Sequence, residues 1–460
     1  MKKFKKILTF VLPIFLLALI YIVPKQVYAA STAYSISTDF SQYTPNSTIK
    51  ISYSGVSTKD WIGIYKQGTT PSSAAADAAY AWKYTSGASG TLSFTPNDFI
   101  TAQYSPNKGN TLQPGNYKAV LLKNDGYTVA AQVNFTVIED KLLYSFEVLS
   151  DMHISTKDTT FNSHLNSALK DIKNFAKNSS CIVANGDSVD EWSWDTYSLL
   201  RDTMYSNRVG LPYVYFNLGN HELMEDSHNA NVNSASFQDE FNRYLYFAND
   251  INYNMNNSTN TSITHDKQTL PYYKQTVNGQ HFIFLGSESD SDRDKAYLSD
   301  TQLNWLDEEL YKVAKYENDQ PVFVFLHQGL NNTVAGTKSG QDWGGVIQDS
   351  QLRFILNKYP NVIYFSGHSH WQLESQSTMY QDTATYGPTL GATMFNSASV
   401  GYLWSDAGSS INGSQGLHVE VYKDKVLVKG RNYLNQSWIP SAQFTVDMNA
   451  KYTSMHKYTY

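Results

Sequence analysis

The chain has 460 residues, with 41% apolar and 14% aromatic content and a formal charge of −6. This apolar content excludes a mainly disordered protein, and the length predicts two or three domains instead of one core. Cys181 is the only cysteine, so no disulfide can form within the chain, and we expect this side chain to pack as a small hydrophobe.

Residues 1–30 have the pattern of an export signal. An apolar run from Ile7 to Val23 follows four lysines, and small residues come after it. We predict cleavage near Ala29 or Ala30, which leaves no membrane anchor. A retained anchor is the alternative, because a run of this length is near the lower limit for spanning a bilayer. The pattern and the frequent Asn, Ser and Tyr residues favour a secreted bacterial protein.

Removal of residues 1–29 takes away five lysines and no acids, so the formal charge moves from −6 to −11. An acidic chain without a basic block argues against nucleic acid or an anionic membrane as the main partner. A small phosphorylated substrate stays compatible with this charge, because bound metal ions can reverse the local field.

Residues 31–139 are predicted to form an all-β domain, a fibronectin-III-like or immunoglobulin-like sandwich. Alternating runs are separated by Gly, Pro, Ser and Asn clusters at a spacing typical of sandwiches. The predicted strands are Thr48–Tyr53, Trp61–Tyr65, Gly90–Phe94, Asn116–Leu122 and Ala130–Val137. Trp61, Trp82, Tyr84 and Tyr127 could form a face that contacts cell-wall glycan, but packing inside the sandwich is the favoured use of these aromatics.

Residues 140–446 alternate between strand and helix patterns, which predicts a layered α/β domain, and residues 447–460 are left as a C-terminal tail. Helices are expected at 161–177 and 236–249. Two more are expected, one that follows Ser299 as its cap and one that begins at Ser350. Hairpins are expected to turn at Asn278-Gly279 and at Lys423-Asp424. An Asn-rich stretch at 252–262 is expected to be a loop.

Five polar strings each follow an apolar run typical of a β-strand. They are Asp151-Met152-His153, Gly186-Asp187-Ser188-Val189-Asp190, Gly219-Asn220-His221-Glu222, His327, and Gly367-His368-Ser369-His370. The ends of the five strands should bring these strings together at one edge of a sheet. Each string alone has an ordinary explanation, such as a turn or a core histidine, but all five in order point to a shared site.

The residue types in these strings suit a pair of divalent metal ions. Two carboxylates, several imidazoles and one amide would leave two such ions with a net positive charge, which favours a phosphoryl group. The charge would also lower the pKa of a shared water and give a hydroxide nucleophile.

The five strings resemble the signature of the calcineurin-like metallophosphoesterase family: Asp-x-His, Gly-Asp-x-x-Asp, Gly-Asn-His-Asp/Glu, a single His and Gly-His-x-His. The resemblance covers residues 144–370 and implies a four-layer fold, with helices outside two packed mixed sheets. It also implies that Asp187 bridges two metal ions. The first ion would be held by Asp151, His153 and His370, and the second by Asn220, His327 and His368.

The same resemblance gives His221 a catalytic role beside the metals, as a proton donor to the substrate. Asp190 and Glu222 would orient ligands or loops. Purple acid phosphatases differ from this chain, since they have Gly where His153 stands and a ligating Tyr where Asp190 stands. The resemblance therefore implies two like divalent ions, such as Mn, Fe or Zn, and not a purple iron site.

The remaining histidines fit no string, and surface or structural roles are expected for them: His164, His228, His265, His281, His418 and His456. Only His228 is kept as a candidate for substrate contact. The leading hypothesis is a secreted phosphoesterase that acts on phosphomonoesters or phosphodiesters. The alternative is a cell-surface glycan-binding protein with a structural metal cluster, in which His221 would have no purpose.

Overall fold

The computed structural model describes residues 34–107, 109–223, 235–255, 267–317, 320–375, 377–383 and 390–456. The predicted export signal lies outside these ranges. Within them, every helix is too short or too polar to traverse a lipid bilayer.

The N-terminal part consists of two β-sheets, as its alternating pattern predicts. The strands are β1 Ser35–Thr38, β2 Gln42–Tyr43, β3 Ile49–Ser54, β4 Trp61–Lys66, β5 Ala81–Tyr84, β6 Ser89–Phe94, β7 Gly115–Lys123 and β8 Thr128–Val137. One sheet has the order β1-β3-β6 and the other β2-β8-β7-β4-β5. Ile51 of β3 and Ile62 and Ile64 of β4 are fully buried in a shared core. A short helix, α1 Pro96–Thr101, is a feature that the alternating pattern does not predict.

The expectation that the four aromatics of this part are packed inside was wrong for three of them. Trp61 is buried, but Trp82 is 52% exposed, Tyr84 46% and Tyr127 44%. The three rings lie beside Trp61 on the side of the five-stranded sheet that faces away from the core. Alternation along a strand shows which residues share a face, but not which face is covered.

From Tyr144 onward strands and helices alternate, which confirms the mixed α/β class. The strands are β9 Tyr144–Leu149, β10 Cys181–Asn185, β11 Tyr213–Asn217, β12 Tyr273–Val277, β13 Gln280–Phe284, β14 Val322–Phe325, β15 Val362–Ser366, β16 Met379–Gln381, β17 Thr393–Asn396, β18 Leu403–Trp404, β19 Ser410–Ile411, β20 Gln415–Val421, β21 Lys425–Asn432 and β22 Ser437–Asp447. The helices are α2 Thr159–Phe175, α3 Trp194–Asn207, α4 Ala235–Met255, α5 Asp300–Tyr316, α6 Asp349–Asn357 and α7 Met448–His456.

These strands form two mixed six-stranded sheets. The first has the order β11-β10-β9-β20-β21-β22, in which β9, β10 and β11 are parallel. The second has the order β12-β13-β14-β15-β17-β16, with a parallel centre from β13 to β17. All residues of β9, β10, β11, β14 and β15 are buried, as expected for parallel strands covered on both faces.

The two sheets pack against each other through aromatic side chains. The Phe146 ring of the first sheet lies 4.8 Å from the rings of Phe282 and Phe323 in the second. Cys181 is buried in the same cluster, as predicted. Helices α2, α3 and α4 pack with the alternate residues of β9 to β11, such as Ile182 and Val214. Helices thus cover the outer side of the first sheet, and the complete four-layer order stays a prediction.

Local details agree with the sequence patterns only in part: α3 was not predicted, and α2 begins and ends two residues earlier than the expected 161–177. Both predicted hairpins are present, and the Ser299 side chain accepts a hydrogen bond from Gln302 N at the start of α5. Helix α6 begins at Asp349, one residue before the predicted Ser350, and α4 continues through Asn252 to Met255, where a loop was expected. Part of the predicted tail forms α7, which buries Met448 in the core of the two sheets.

Candidate metal centre

The predicted site residues lie at the carboxyl ends of strands from both sheets. Strands β9, β10 and β11 of the first sheet lead to Asp151, His153, Asp187, Asn220 and His221. Strands β14 and β15 of the second sheet lead to His327, His368 and His370. The site therefore lies where the ends of two sheets meet, and the expectation of one sheet edge was too simple. Seven of these eight residues are buried, and His221 is partly exposed.

Five of these residues have a positive φ, an uncommon backbone conformation for residues other than glycine. The angles are 53° at Asp151, 48° at His153, 50° at Asp187, 65° at His368 and 54° at His370. Such conformations cost of order 1–3 kcal/mol each and persist where the surrounding structure enforces them. Here they turn consecutive side chains of each loop towards one point.

Glycines in the strings allow loops to approach each other closely. A Cβ on Gly219 would lie 2.2 Å from Asp187 N, and a Cβ on Gly367 would lie 1.9 Å from Ser150 Oγ. Contacts this short do not occur between real atoms, so each glycine is required by its surroundings.

Four of the predicted ligands form a first compact group: Asp151, His153, Asp187 and His370. His370 Nε2 lies 3.0 Å from both Asp151 Oδ1 and His153 Nε2. His153 Nε2 lies 3.8 Å from Asp187 Oδ2. The ligand atoms of the group all lie within 4.8 Å of one another.

A second group contains Asp187, His327 and His368. His327 Nε2 lies 3.0 Å from Asp187 Oδ2, and among the described residues it has no hydrogen-bond partner of acceptable geometry. Asp187 belongs to both groups, which is the position that a bridging ligand requires. Asn220 lines the same cavity as Asp187 and His368.

The Nδ1 atoms of three of these histidines lie within hydrogen-bond distance of oxygen atoms. His153 Nδ1 lies 3.0 Å from Asp190 Oδ1, His327 Nδ1 lies 2.8 Å from Asn185 O, and His370 Nδ1 lies 3.2 Å from Tyr402 O. Oxygen acceptors at Nδ1 favour the tautomer whose Nε2 carries a lone pair, which is the form that binds metal. The donor set therefore fits divalent ions, and Asp190 contacts His153 as predicted.

Without metal ions, the buried charges of the site are balanced by protons. Burial opposes charge on His327, but the Asp187 and Asp151 carboxylates outweigh it and raise the pKa of His327 to about 10. Burial and the neighbouring charge of His327 lower the pKa of His368 to about 3. Because metal ligation needs the unprotonated imidazole, metal binding should release protons from this cluster.

His221 lies beside the two groups, and its side chain is 23% exposed to the cavity side. Its Nδ1 lies 2.9 Å from Asp190 O, and its ring stands almost perpendicular to that of His153 at 4.6 Å. Burial disfavours its charged form, but the Asp187 carboxylate outweighs this and raises the pKa of His221. Because Nδ1 faces Asp190 O, Nε2 is the nitrogen left for chemistry.

Glu222 fixes the backbone of two ligand loops, in agreement with its predicted orienting role. Its carboxylate accepts hydrogen bonds from Asp187 N at 3.0 Å, Ser188 N at 2.7 Å and Gly219 N at 2.7 Å. Burial, followed by the charge of Asp187, raises the pKa of Glu222 to about 7.

A cavity of about 300 Å³ opens onto these groups. Sequence reasoning did not identify five of its lining residues, which come from loops and from the two-residue strand β18, where no pattern marks them: Arg293, Asp294, Trp343, Tyr402 and Trp404. The Tyr402 ring lies 4.3 Å from that of His370, and the Trp343 ring lies 5.6 Å from that of His368. Aromatic side chains therefore form much of the wall beside the ligands.

Three of the other histidines have structural partners, as expected, whereas the side chain of His456 lies outside the described part. His164 Nδ1 contacts Gly401 O, His281 contacts Glu317 and His418 contacts Glu147. Tyr272 packs against Trp305. His228 and His265 lie outside the described residues, so the suggested substrate contact of His228 stays a prediction.

Two mixed sheets whose strand ends converge on buried carboxylates and imidazoles define a metal-dependent hydrolase. A model of the calcineurin-like phosphoesterase family matches residues 145–372, and this part of the chain is a calcineurin-like phosphoesterase domain. The match begins within β9 and ends just after His370, so it contains every predicted site residue.

The solved structures that match the chain are distant in sequence. A purple acid phosphatase from yellow lupin (Lupinus luteus) seeds is 10% identical, with a TM-score of 0.46 over 90% of this chain and 95% of that chain. PhoD is 11% identical, with a TM-score of 0.38 over 90% of this chain and 88% of that chain. A predicted phosphoesterase from Streptococcus pneumoniae is 10% identical, with a TM-score of 0.28 over 66% of this chain and 97% of that chain. Among curated proteins, none matches the chain.

Proposed function

We propose that the chain is a secreted phosphoesterase with two divalent metal ions, such as Mn, Fe or Zn. The observation that carries this proposal is the position of Asp187, which belongs to both ligand groups at the base of an open cavity. A carboxylate shared by two sets of imidazoles is suited to holding two cations a short distance apart.

The proposed ligand roles follow the two groups. Asp151, His153 and His370 hold the first ion, Asn220, His327 and His368 hold the second, and Asp187 bridges them. Bound ions of this kind would supply a hydroxide nucleophile at neutral pH and electrostatic stabilisation of the phosphoryl oxygens. The chain itself orients the imidazoles through Asp190, Asn185 and the Tyr402 carbonyl.

In this proposal His221 donates a proton to the oxygen of the departing alcohol. Its ring lies beside both ligand groups, and its Nδ1 contact with Asp190 O holds the ring in place. A general acid at this position contributes typically about 10²–10⁴-fold to the rate.

The substrate is proposed to be a small phosphoric ester. The cavity has room for a phosphoryl group and part of its alcohol, which would lie along Trp343 and Trp404. Arg293, an exposed cation in the same lining, would attract the phosphate. The overall negative charge argues against a nucleic acid polymer as the partner.

The alternative of a purely structural metal cluster predicts a closed ligand set. The cavity beside Asp187 and His221 favours the enzyme instead, since a structural cluster needs neither an open face nor an extra imidazole. Secretion is proposed from the export pattern of residues 1–30.

The experiment that tests the proposed function compares nitrophenyl phosphate with bis-nitrophenyl phosphate. The purified chain is stripped of metal and then refilled with Mn, Zn or Fe. We expect turnover to disappear on stripping and to return with at least one metal, and the preferred substrate will separate monoesters from diesters. Full metal occupancy without hydrolysis of either substrate would count against the proposal.

A further inference from the structure

A second cavity, of about 440 Å³, lies against the five-stranded sheet of the N-terminal part. Its lining residues fall between Trp61 and Tyr127, so none of them belongs to the metal centre. We call it the aromatic cleft and define it by five rings at its surface: Trp61, Trp82, Tyr84, Tyr104 and Tyr127. The volume is within the usual range for small-ligand sites, about 300–1,000 Å³.

Four of the rings form a continuous chain of edge-to-face contacts. The ring centroids are 5.3 Å apart between Tyr84 and Trp82, 5.9 Å between Trp82 and Trp61, and 5.8 Å between Trp61 and Tyr127. Trp61 Nε1 donates a hydrogen bond to Gly126 O, and Tyr84 donates one to Asp125. The rings are thus held in place before any ligand binds, which reduces the entropy lost on binding.

The exposure of these rings is not needed for the fold. Trp82 is 52% exposed and Tyr104 is 77% exposed, while the core of the two sheets is built from other residues. Exposed aromatic clusters of this kind mark binding surfaces in soluble proteins.

The charges and hydroxyl groups around the cleft restrict its ligand. Among the lining residues there is no lysine or arginine, and the single carboxylate is Asp125. Anionic polymers such as nucleic acids are therefore disfavoured. Ser73 and Asp125 can exchange hydrogen bonds with a ligand rich in hydroxyl groups, since a carboxylate accepts more bonds than the one from Tyr84.

A proline-rich peptide also binds aromatic grooves, but it requires side-chain donors directed at its carbonyl groups. In the aromatic cleft two of these donors are already used within the protein, by Trp61 to Gly126 and by Tyr84 to Asp125. A sugar ring instead offers an apolar C–H face to an aromatic ring and hydroxyl groups to a carboxylate.

We propose that the aromatic cleft binds a neutral polysaccharide, with a sugar ring stacked on Trp82 and hydroxyl groups bonded to Asp125. The site would hold the protein on a glycan surface while the metal centre, formed by other residues, acts on a separate substrate. This inference does not depend on the proposed phosphoesterase function.

The test is titration of the full chain with two neutral hexasaccharides, of β-1,4-linked glucose and of β-1,4-linked N-acetylglucosamine, together with gel retardation by soluble neutral glucan. We expect saturable binding of at least one probe, weakened about tenfold or more by Trp82→Ala, because the loss of one aromatic contact is worth on the order of 1 kcal/mol or more. Trp194→Ala is the matched control, since Trp194 is also 52% exposed and lies on α3.

A second variant, Tyr104→Ala, should fold normally, because the Tyr104 side chain is 77% exposed. It should also weaken binding while the melting temperature stays unchanged. The proposal is overturned if neither hexasaccharide nor the glucan binds, if both cleft variants bind as well as the Trp194 control, or if only a proline-rich decapeptide binds.

Discussion

The Nε2 atoms of His153 and His370 lie 3.0 Å apart, although 217 residues separate them in the chain. The Nδ1 atom of each ring faces an oxygen, Asp190 Oδ1 for His153 and Tyr402 O for His370. Two lone pairs directed at each other repel, so this approach is stable when a cation or a shared proton lies between the rings. The close approach of these two rings therefore fits the proposed binding of a metal ion by both.

Asp190→Asn should weaken metal binding by about 10–100-fold, because it removes the carboxylate that orients His153. Competition with a chelator would measure the affinity. Asp294→Asn is a suitable control, since Asp294 lines the same cavity and, within the described part of the chain, forms no ion pair with a ligand imidazole. Equal metal affinity in the two variants would contradict the orienting role of Asp190.

Glu222→Gln should destabilise the fold by about 1–3 kcal/mol, because a carboxamide has only one oxygen for three backbone donors. Its NH₂ group would face one of those N–H groups. Urea unfolding would measure the change, with Glu308→Gln on α5 as the control, where the side chain is 73% exposed. Equal stability of both variants would show that Glu222 does not hold the loops.

Arg293→Ala should raise KM by roughly three- to tenfold with little change in kcat, because the residue would bind substrate and transition state alike. Steady-state kinetics with nitrophenyl phosphate would measure both constants. Lys295→Ala removes a nearby cation that pairs with Asp292, outside the cavity lining, and should leave KM unchanged. A fall in kcat alone would assign Arg293 a different role.

His418 should make stability depend on pH above neutrality. Burial opposes its charge, but Glu147 and Glu420 outweigh burial and raise the pKa of His418 from 6.5 to about 9. Folding thus favours the charged form of His418. The stabilisation of the folded state by this charge is complete below pH 6.5 and is lost as the pH rises through about 9.

The free energy of unfolding should fall by on the order of 2 kcal/mol as the pH rises from 6.5 to about 9. Urea unfolding across this pH range would detect it, and His418→Gln should flatten the profile. The same slope in the variant would assign the pH dependence to other groups.

The sequence predicted the strands that carry the site because each is a continuous apolar run followed by metal-binding residue types. It could not predict the walls of the cavity. Trp343 lies in a loop and Trp404 in the two-residue strand β18, whose positions depend on tertiary packing, and no local pattern marks them. The same limit explains the error at Trp82, since alternation in β5 does not show whether a second layer covers that face.

Residues 447–460 show another limit of sequence patterns. Helix α7 places Met448, Tyr452 and Met455 in the main core at the helical spacing i, i+4 and i+7, but most of its other residues are polar and the apolar face is only three residues long. A helix of nine residues is marginally stable alone, so its stability comes from contact with the sheets.

We propose above all that Asp187 holds two metal ions and that His221 acts on the substrate beside them. The most direct measurement is metal content per chain, taken together with turnover, for the natural chain, Asp187→Ala and His221→Ala. We predict that Asp187→Ala loses metal and turnover together, whereas His221→Ala keeps its metal and loses about 10²–10⁴-fold in rate. Unchanged turnover in Asp187→Ala would contradict the account.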